Sequence, residues 1–336
     1  MTPMVRRSLI LLFSLAIAGC THRPPHPPGF ADFRRAFDLG MESAEALRQQ
    51  VEVFERGALS PGELLKVLAA KNSANLVGTA TQAHVADPVG LELALRATVL
   101  DPTNPMTWAA MSYKTVTLIK SDVGVRERNL ELLADAVQHW KTLEPLNSVP
   151  VYLEARYLLF VTNAPRANEL VAIAHGMDQF VTYEEPIRAC VEHVYRFQDY
   201  PHYSALVLAS GHSTGSLHLT MLGKDLLKEL PLAATTLPEL VVLGKRVATG
   251  KTMLAELLGL TLQLNAIDKA APNSLGIDRS AVMSRRGYIQ QVAKFLSSPA
   301  VKGVSEKRWI QFYQDSSIWS EMKASEDLAR EQGHTF

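Results

Sequence analysis

The sequence predicts an all-α fold: stacked helix pairs, a repeat-like α-solenoid, continuing into a C-terminal helical bundle. Three observations predict it. Apolar residues recur at spacings of three and four through most of the 336 residues. The alternation of period two that marks a strand is scarce. One pattern also occurs twice. Leu100-Asp101-Pro102-Thr103-Asn104 and Leu143-Glu144-Pro145-Leu146-Asn147 each end a helix rich in small residues and open a new one, with Pro102 and Pro145 lying 43 positions apart.

The chain begins with a short basic region, Arg6-Arg7, and an apolar run from Leu9 to Ala18. Ten residues are too few to cross a bilayer but suit the hydrophobic region of a signal peptide. The run closes on Ile17-Ala18-Gly19-Cys20. This resembles the signal of bacterial lipoproteins. The resemblance implies that residues 1–19 are removed and that Cys20 carries the lipid and becomes the new N-terminus. Thr21, rather than an aspartate, follows the cysteine, which by the same resemblance implies the outer membrane, facing the periplasm. Several acyl chains on one residue anchor a protein stably where a single chain does not. Residues 20–29 then read as a lipidated cysteine and a tether, whose four prolines favour an extended polyproline conformation.

Phe30, Phe33, Phe37, Gly40, Ala44, Leu47, Val51 and Phe54 predict an amphipathic helix of about 25 residues, closed by Gly57. Ser60-Pro61-Gly62-Glu63 predicts the next helix start by a capping box. Residues 70–160 carry the repetition. Ala97, Leu100 and Pro102, then Trp108, Met111 and Ser112, resemble a degenerate form of tetratricopeptide-type helical repeats, with Gly78 at a small position of the preceding helix. The spacing departs from the family period of about 34 residues. The resemblance implies stacked helix pairs whose concave surface binds peptides or proteins. The repeat pattern fades near 180. That sets 30–180 as the repeat-like domain and 181–336 as a C-terminal helical region, either separate or continuous with it.

Further helices are predicted around Leu170 to Met177, Ile187 to Phe197 (broken by Tyr200-Pro201) and Leu217 to Leu230 (ended by Pro231). A capping box at Thr236-Leu237-Pro238-Glu239 predicts a helix over 239–248. Met253 to Ile267 and Ala281 to Leu296 are also periodic. Trp309, Phe312, Tyr313 and Trp319 have the spacing of helix-packed core; the alternative is a surface platform for a partner.

The 34 basic and 34 acidic residues give no electrostatic reason to bind nucleic acid. A hydrophobic content of 47% is that of a globular chain. With Cys20 lipidated, Cys190 has no intramolecular disulfide partner and reads as buried and inert.

Three stretches invite chemistry. Gly211-His212-Ser213-Thr214-Gly215 resembles the nucleophile elbow of lipases and esterases, with Ala205–Ala209 as its strand. The resemblance implies Ser213 as nucleophile, with His334 and one of the downstream aspartates, Asp225, Asp268 or Asp278, as partners; Asp268 is taken as the candidate. The other reading is a polar loop between two helices. Gly244 to Thr252 resembles a phosphate-binding loop but has five residues between its glycines where the motif has four. Gly250 reads instead as a helix C-cap. Five histidines fall between 175 and 218 beside Cys190, but no second pair completes a metal site, so no metal and no cofactor is expected. The functional expectation is a lipid-anchored envelope module that binds or scaffolds partner proteins or peptides on its helical surface. The alternative is a lipid-anchored serine hydrolase acting through Ser213.

Overall fold

The structure, a computed structural model, describes residues 27–40, 72–83, 88–212, 214–228, 230–271 and 274–336. Cys20, the leader, the continuation of the first helix past Gly40, the capping box at Ser60 and Ser213 lie outside the described residues. Every element among those described is helical. The fold is all-α and repeat-like, as the periodicity predicts. No described helix is long and apolar enough to cross a membrane.

After α1 (Phe30–Gly40), the helices α2 (Ser73–Gln82), α3 (Pro88–Leu100), α4 (Pro105–Lys120), α5 (Arg126–Leu143), α6 (Ser148–Phe160) and α7 (Ala164–His175) form an array in which sequential neighbours pack. The repeated turn builds it. Asn104 caps α4, its Oδ1 accepting from the Met106 amide at 3.0 Å, while its amide nitrogen donates to Asp101 at 3.0 Å. Asn147 caps α6 in the same way, from the Val149 amide at 3.1 Å, and donates to Glu144 at 2.9 Å. Each turn thus satisfies an orphan helix donor and orients the capping asparagine with the acid three residues earlier.

The chain then folds back. α8 (Glu184–Phe197) turns Ile187, Cys190, Val191 and Val194 inward and packs on α2. Gly78 allows this approach, since a Cβ there would lie 2.4 Å from the Cys190 carbonyl oxygen. α9 (His202–Ser210) and α10 (Thr214–Leu226) follow, and α10 packs on α4 and α6. α11 (Leu230–Ala248) lies on α7 and pairs closely with α12 (Met253–Lys269). The side of the array formed by α4 and α6 is therefore covered by the chain's own later helices.

Three apolar cores result. The largest runs from Leu76 through Trp140 and Tyr152 to Ala266, drawing on residues from both sides of position 180. The second joins Phe33 of α1 to α8, α9, α13 (Arg279–Leu296), α14 (Glu306–Ile318) and α15 (Glu321–Glu331). The third lies between α12 and α13 and includes Met322.

Four local expectations need correction. Pro231 does not end a helix, and Thr236 to Glu239 does not begin one. α10 stops at Leu226, and α11 runs through Pro238. The Pro238 ring is exposed, while Leu237, Leu240 and Val241 beside it are buried. Burial of that apolar face outweighs the single backbone hydrogen bond proline forfeits. Ala205–Ala209, expected as the strand of a nucleophile elbow, lies inside α9. Trp319 is not core: it is 70% exposed, because α14 ends at Ile318 and the chain turns away before its ring can reach the packed face.

Candidate functional site

Gly211 and His212 follow α9 directly and Thr214 opens α10, so the described residues of this motif lie where two helices succeed each other. The two residues expected to complete a triad are engaged elsewhere. Asp268, exposed at the end of α12, accepts from Arg279 Nε at 2.8 Å. His334, near the C-terminus, stacks on Phe295 at 5.1 Å and meets Phe336 edge-on.

The phosphate-loop resemblance dissolves into helix capping. Gly244 lies within α11, against Gly259 and Gln263 of α12. Arg246 donates to the carbonyls of Ala174 at 2.7 Å, His175 at 3.1 Å and Met177, and to Ser148 Oγ. It closes the C-terminus of α7, where cationic donors suit both the orphan carbonyls and the helix dipole. Lys251 does the same for α14, through Ser317 O at 2.6 Å and Ile318 O at 3.1 Å. In return, Glu321 accepts from the Met253 amide at 2.7 Å, capping α12. Gly250 lies two residues past α11, and its amide bonds to Val247 O.

The histidines do not converge. Cys190 is buried with its Sγ 4.0 Å from Met106 Sδ, and burial pushes its thiol up to about 11. His193 lies on the outer face of α8, in an open cleft with Glu192 and Arg196. Among the described residues no group of three or more His, Cys, Asp or Glu side chains is placed to hold a metal ion.

A polar seam inside the first core carries no sequence signal beyond its individual residues. Arg156 on α6 has no exposed side-chain surface, and its guanidinium donates to His218 O on α10. Its other nitrogen lies 4.0 Å from Asp225, which also meets Lys120 at 3.6 Å and Lys228 at 2.9 Å. Burial draws the guanidinium down to about 10, opposed by Asp225. His218 Nε2 lies 3.1 Å from Thr117 Oγ1, and its ring stacks on Tyr113. Burial, then Arg156 and Lys120, hold His218 well below the usual histidine range. Ser216, at the start of α10, donates from Oγ and from its amide to Glu184. Buried polar groups ordinarily find partners, and these meet across α4, α6, α8 and α10, although Arg156 Nε and Nη2 and His218 Nδ1 make no hydrogen bond. The seam staples the later helices onto the array. Periodicity could not reveal it, since Arg156 and Asp225 are 69 positions apart.

The open chemistry is at the turn end. Two antiparallel helices separate the turns at Pro102 and Pro145, so both turns sit at one end of the array. Trp108 near the start of α4 confirms this by stacking on His139 near the end of α5, centroids 4.2 Å apart. Residues 179–181 cross to the same end, where Gln179 pairs with the backbone of Leu146 and Ser148, and Val181 bonds both ways to Asn147. This rim leaves Val99 76%, Leu146 60% and Ile173 52% exposed, with Leu100, Leu143 and Val181 also open. Leu100 and Leu143 are equivalent positions of the repeated pattern.

No family model, no curated protein and no solved structure matches the chain.

Proposed function

We propose that this chain is a lipid-anchored cell-envelope protein, held through Cys20 at the outer membrane, that binds or scaffolds partner proteins. The observation that supports this reading is the apolar rim at the turn end. Scattered apolar surface is ordinary, but here six large apolar residues recur at one end of a helical array, two of them at equivalent positions of a repeated turn. Fully burying such a side chain contributes about 1.5–3 kcal/mol, so covering six half-exposed ones offsets a substantial share of the cost of association. The inner side of the array is filled by α8 and α10, so the rim replaces a concave groove as the partner surface. A serine hydrolase acting through Ser213 gains no support from a junction between two helices or from the separate engagements of Asp268 and His334.

Affinity capture from detergent-solubilised envelopes tests the proposal. Wild-type chain is expected to retain a defined partner that the Val99→Asp/Leu146→Asp double variant loses, with the two proteins unfolding at the same urea midpoint. Equal retention by both would remove the rim from the account.

A further inference from the structure

Trp319 is the exposed exception among four tryptophans: Trp108, Trp140 and Trp309 are 8%, 0% and 5% exposed, Trp319 70%. Its neighbour Ile318 is 60% exposed. The pair forms an apolar knob at the corner between α14 and α15. The corner is held firmly from beneath. Lys251 donates to the carbonyls of Ser317 and Ile318, the Trp319 amide bonds to Asp315 O at 2.8 Å, and the Glu321 amide bonds to Lys251 O at 2.7 Å. A rigid corner presenting tryptophan and isoleucine to solvent has ordered its backbone without burying its side chains, so the apolar area remains to be covered by something else.

The path of the N-terminus says what covers it. The Pro28 carbonyl accepts from Ser204 Oγ at the start of α9. The adjacent Tyr203 ring packs edge-on against Tyr313 of α14, centroids 6.1 Å apart, and Arg34 of α1 lies over Trp309 at 5.4 Å. The chain's exit toward the lipid therefore rests on the lobe that carries the knob. Trp319 lies six residues beyond Tyr313, a rise of ~9 Å along the helix. Pro28 lies eight positions after Cys20, a span of at most about 28 Å at full extension. With Cys20 lipidated, Pro28 and the start of α9 that it bonds cannot lie farther than about that distance from the bilayer surface.

We infer that Ile318 and Trp319 insert into the interfacial layer of the lipid bilayer and fix the orientation of the protein on it. The occupant is the lipid surface itself, in the region where tryptophan's amphipathic ring is favoured. Insertion is apolar and needs no anionic headgroup. The lobe carrying α14 and α15 faces the membrane, and the α2–α7 array is left to face partners. The inference rests on the anchoring of Cys20 proposed above.

The test uses full-length lipidated protein reconstituted into phosphatidylcholine vesicles with or without brominated acyl chains. The brominated chains are expected to quench the solvent-exposed, red-edge component of the tryptophan emission about twofold, and Trp319→Phe to abolish that quenching while the protein still floats with the vesicles. Vesicle-bound protein whose Trp319 emission is unquenched overturns the inference and leaves the anchor intact. Protection of Trp319 from acrylamide that rises with protein concentration in detergent, without lipid, assigns the knob to a second copy and also overturns it. A chain that carries no lipid on Cys20 and stays out of the vesicle fraction overturns inference and anchor together.

Discussion

Gly244 and Gly259 face each other across the crossing of α11 and α12, each leaving room for the other's backbone. A Cβ on Gly259 would lie 2.3 Å from the Gly244 carbonyl oxygen, and one on Gly244 would lie 2.8 Å from the Gly259 carbonyl oxygen. Mid-helix glycine ordinarily costs ~1 kcal/mol relative to alanine, so a Gly→Ala change usually stabilises. Here the atoms in the way are backbone and cannot swing aside. Gly259→Ala is expected to destabilise by about 2–3 kcal/mol through overpacking. Gly287, inside α13 with nothing within 4 Å of a built Cβ, is the internal control. Gly287→Ala is expected to stabilise by about 0.5–1 kcal/mol. Urea midpoints of the two variants should move in opposite directions; a shift of both toward stability would mean the helices do not cross this closely.

The two capping asparagines share one chemistry and should differ in cost. Asn104 is half-buried and makes two bonds in its own turn. Asn147 is fully buried and makes four, adding both directions of a pair with Val181. Asn104→Ala is expected to cost about 1 kcal/mol, the usual value of a lost N-cap. Asn147→Ala is expected to cost about 3 kcal/mol, because it also removes both bonds that tie Val181 to the turn and empties a fully buried polar site. Equal costs in equilibrium unfolding would contradict the buried bridge.

Arg246 is expected to be a stability residue. Arg246→Met should cost about 2–3 kcal/mol by removing charged donors from the carbonyls that end α7. Arg246→Lys should recover less than half of this, because one ammonium cannot span Ala174, His175 and Met177 together. Hydrogen exchange should rise at the last turn of α7 in both variants. Unchanged protection there would assign the arginine another role.

Two histidines set an acid limit on stability. Burial, then Lys114, hold His212 down at about 4, and His218 is held well below its ordinary value. Both pKa values are lower in the folded than in the unfolded chain. Their contribution is therefore fully present above pH ~6.5 and is lost as pH falls toward 4, where the unfolded chain takes up the proton first. His212 should contribute a loss on the order of 2 kcal/mol across that window. Other groups titrate there as well, so the readout is a difference: wild-type stability minus that of His218→Gln, followed from pH 7.5 to 4.5. The difference should shrink as pH falls, and a flat difference would place His218 in contact with water.

Much of the architecture was legible because it rests on local physics. The Leu-acid-Pro-x-Asn pattern predicts a turn between two helices, and at both sites the structure adds that the asparagine caps the second helix with the acid as its other partner. The burial of Cys190 follows from its place on the apolar face of a helix. Long-range pairing was not legible. Arg246 and Lys251 sit in a glycine-flanked basic stretch that looks like a phosphate site, and only the fold brings the C-termini of α7 and α14 to them. Pro238 reads as a helix start until tertiary burial carries α11 through it. Ile173, Phe197 and Trp319 keep helical spacing yet face solvent, since periodicity identifies a face but not whether another element covers it. Of the expected site residues, Asp268 and His334 were placed by their types alone, and the seam around Arg156 drew on positions far apart in the chain.

The most direct test of the central claim is photo-crosslinking in cells from a benzoylphenylalanine placed at Leu146, with the same group at Met283 on α13, exposed and away from the rim, as reference. A discrete adduct of one defined protein is expected from Leu146, reproduced from Val99 and absent from Met283. The same adducts from all three positions, or none from Leu146 while the chain remains in the membrane fraction, would contradict it.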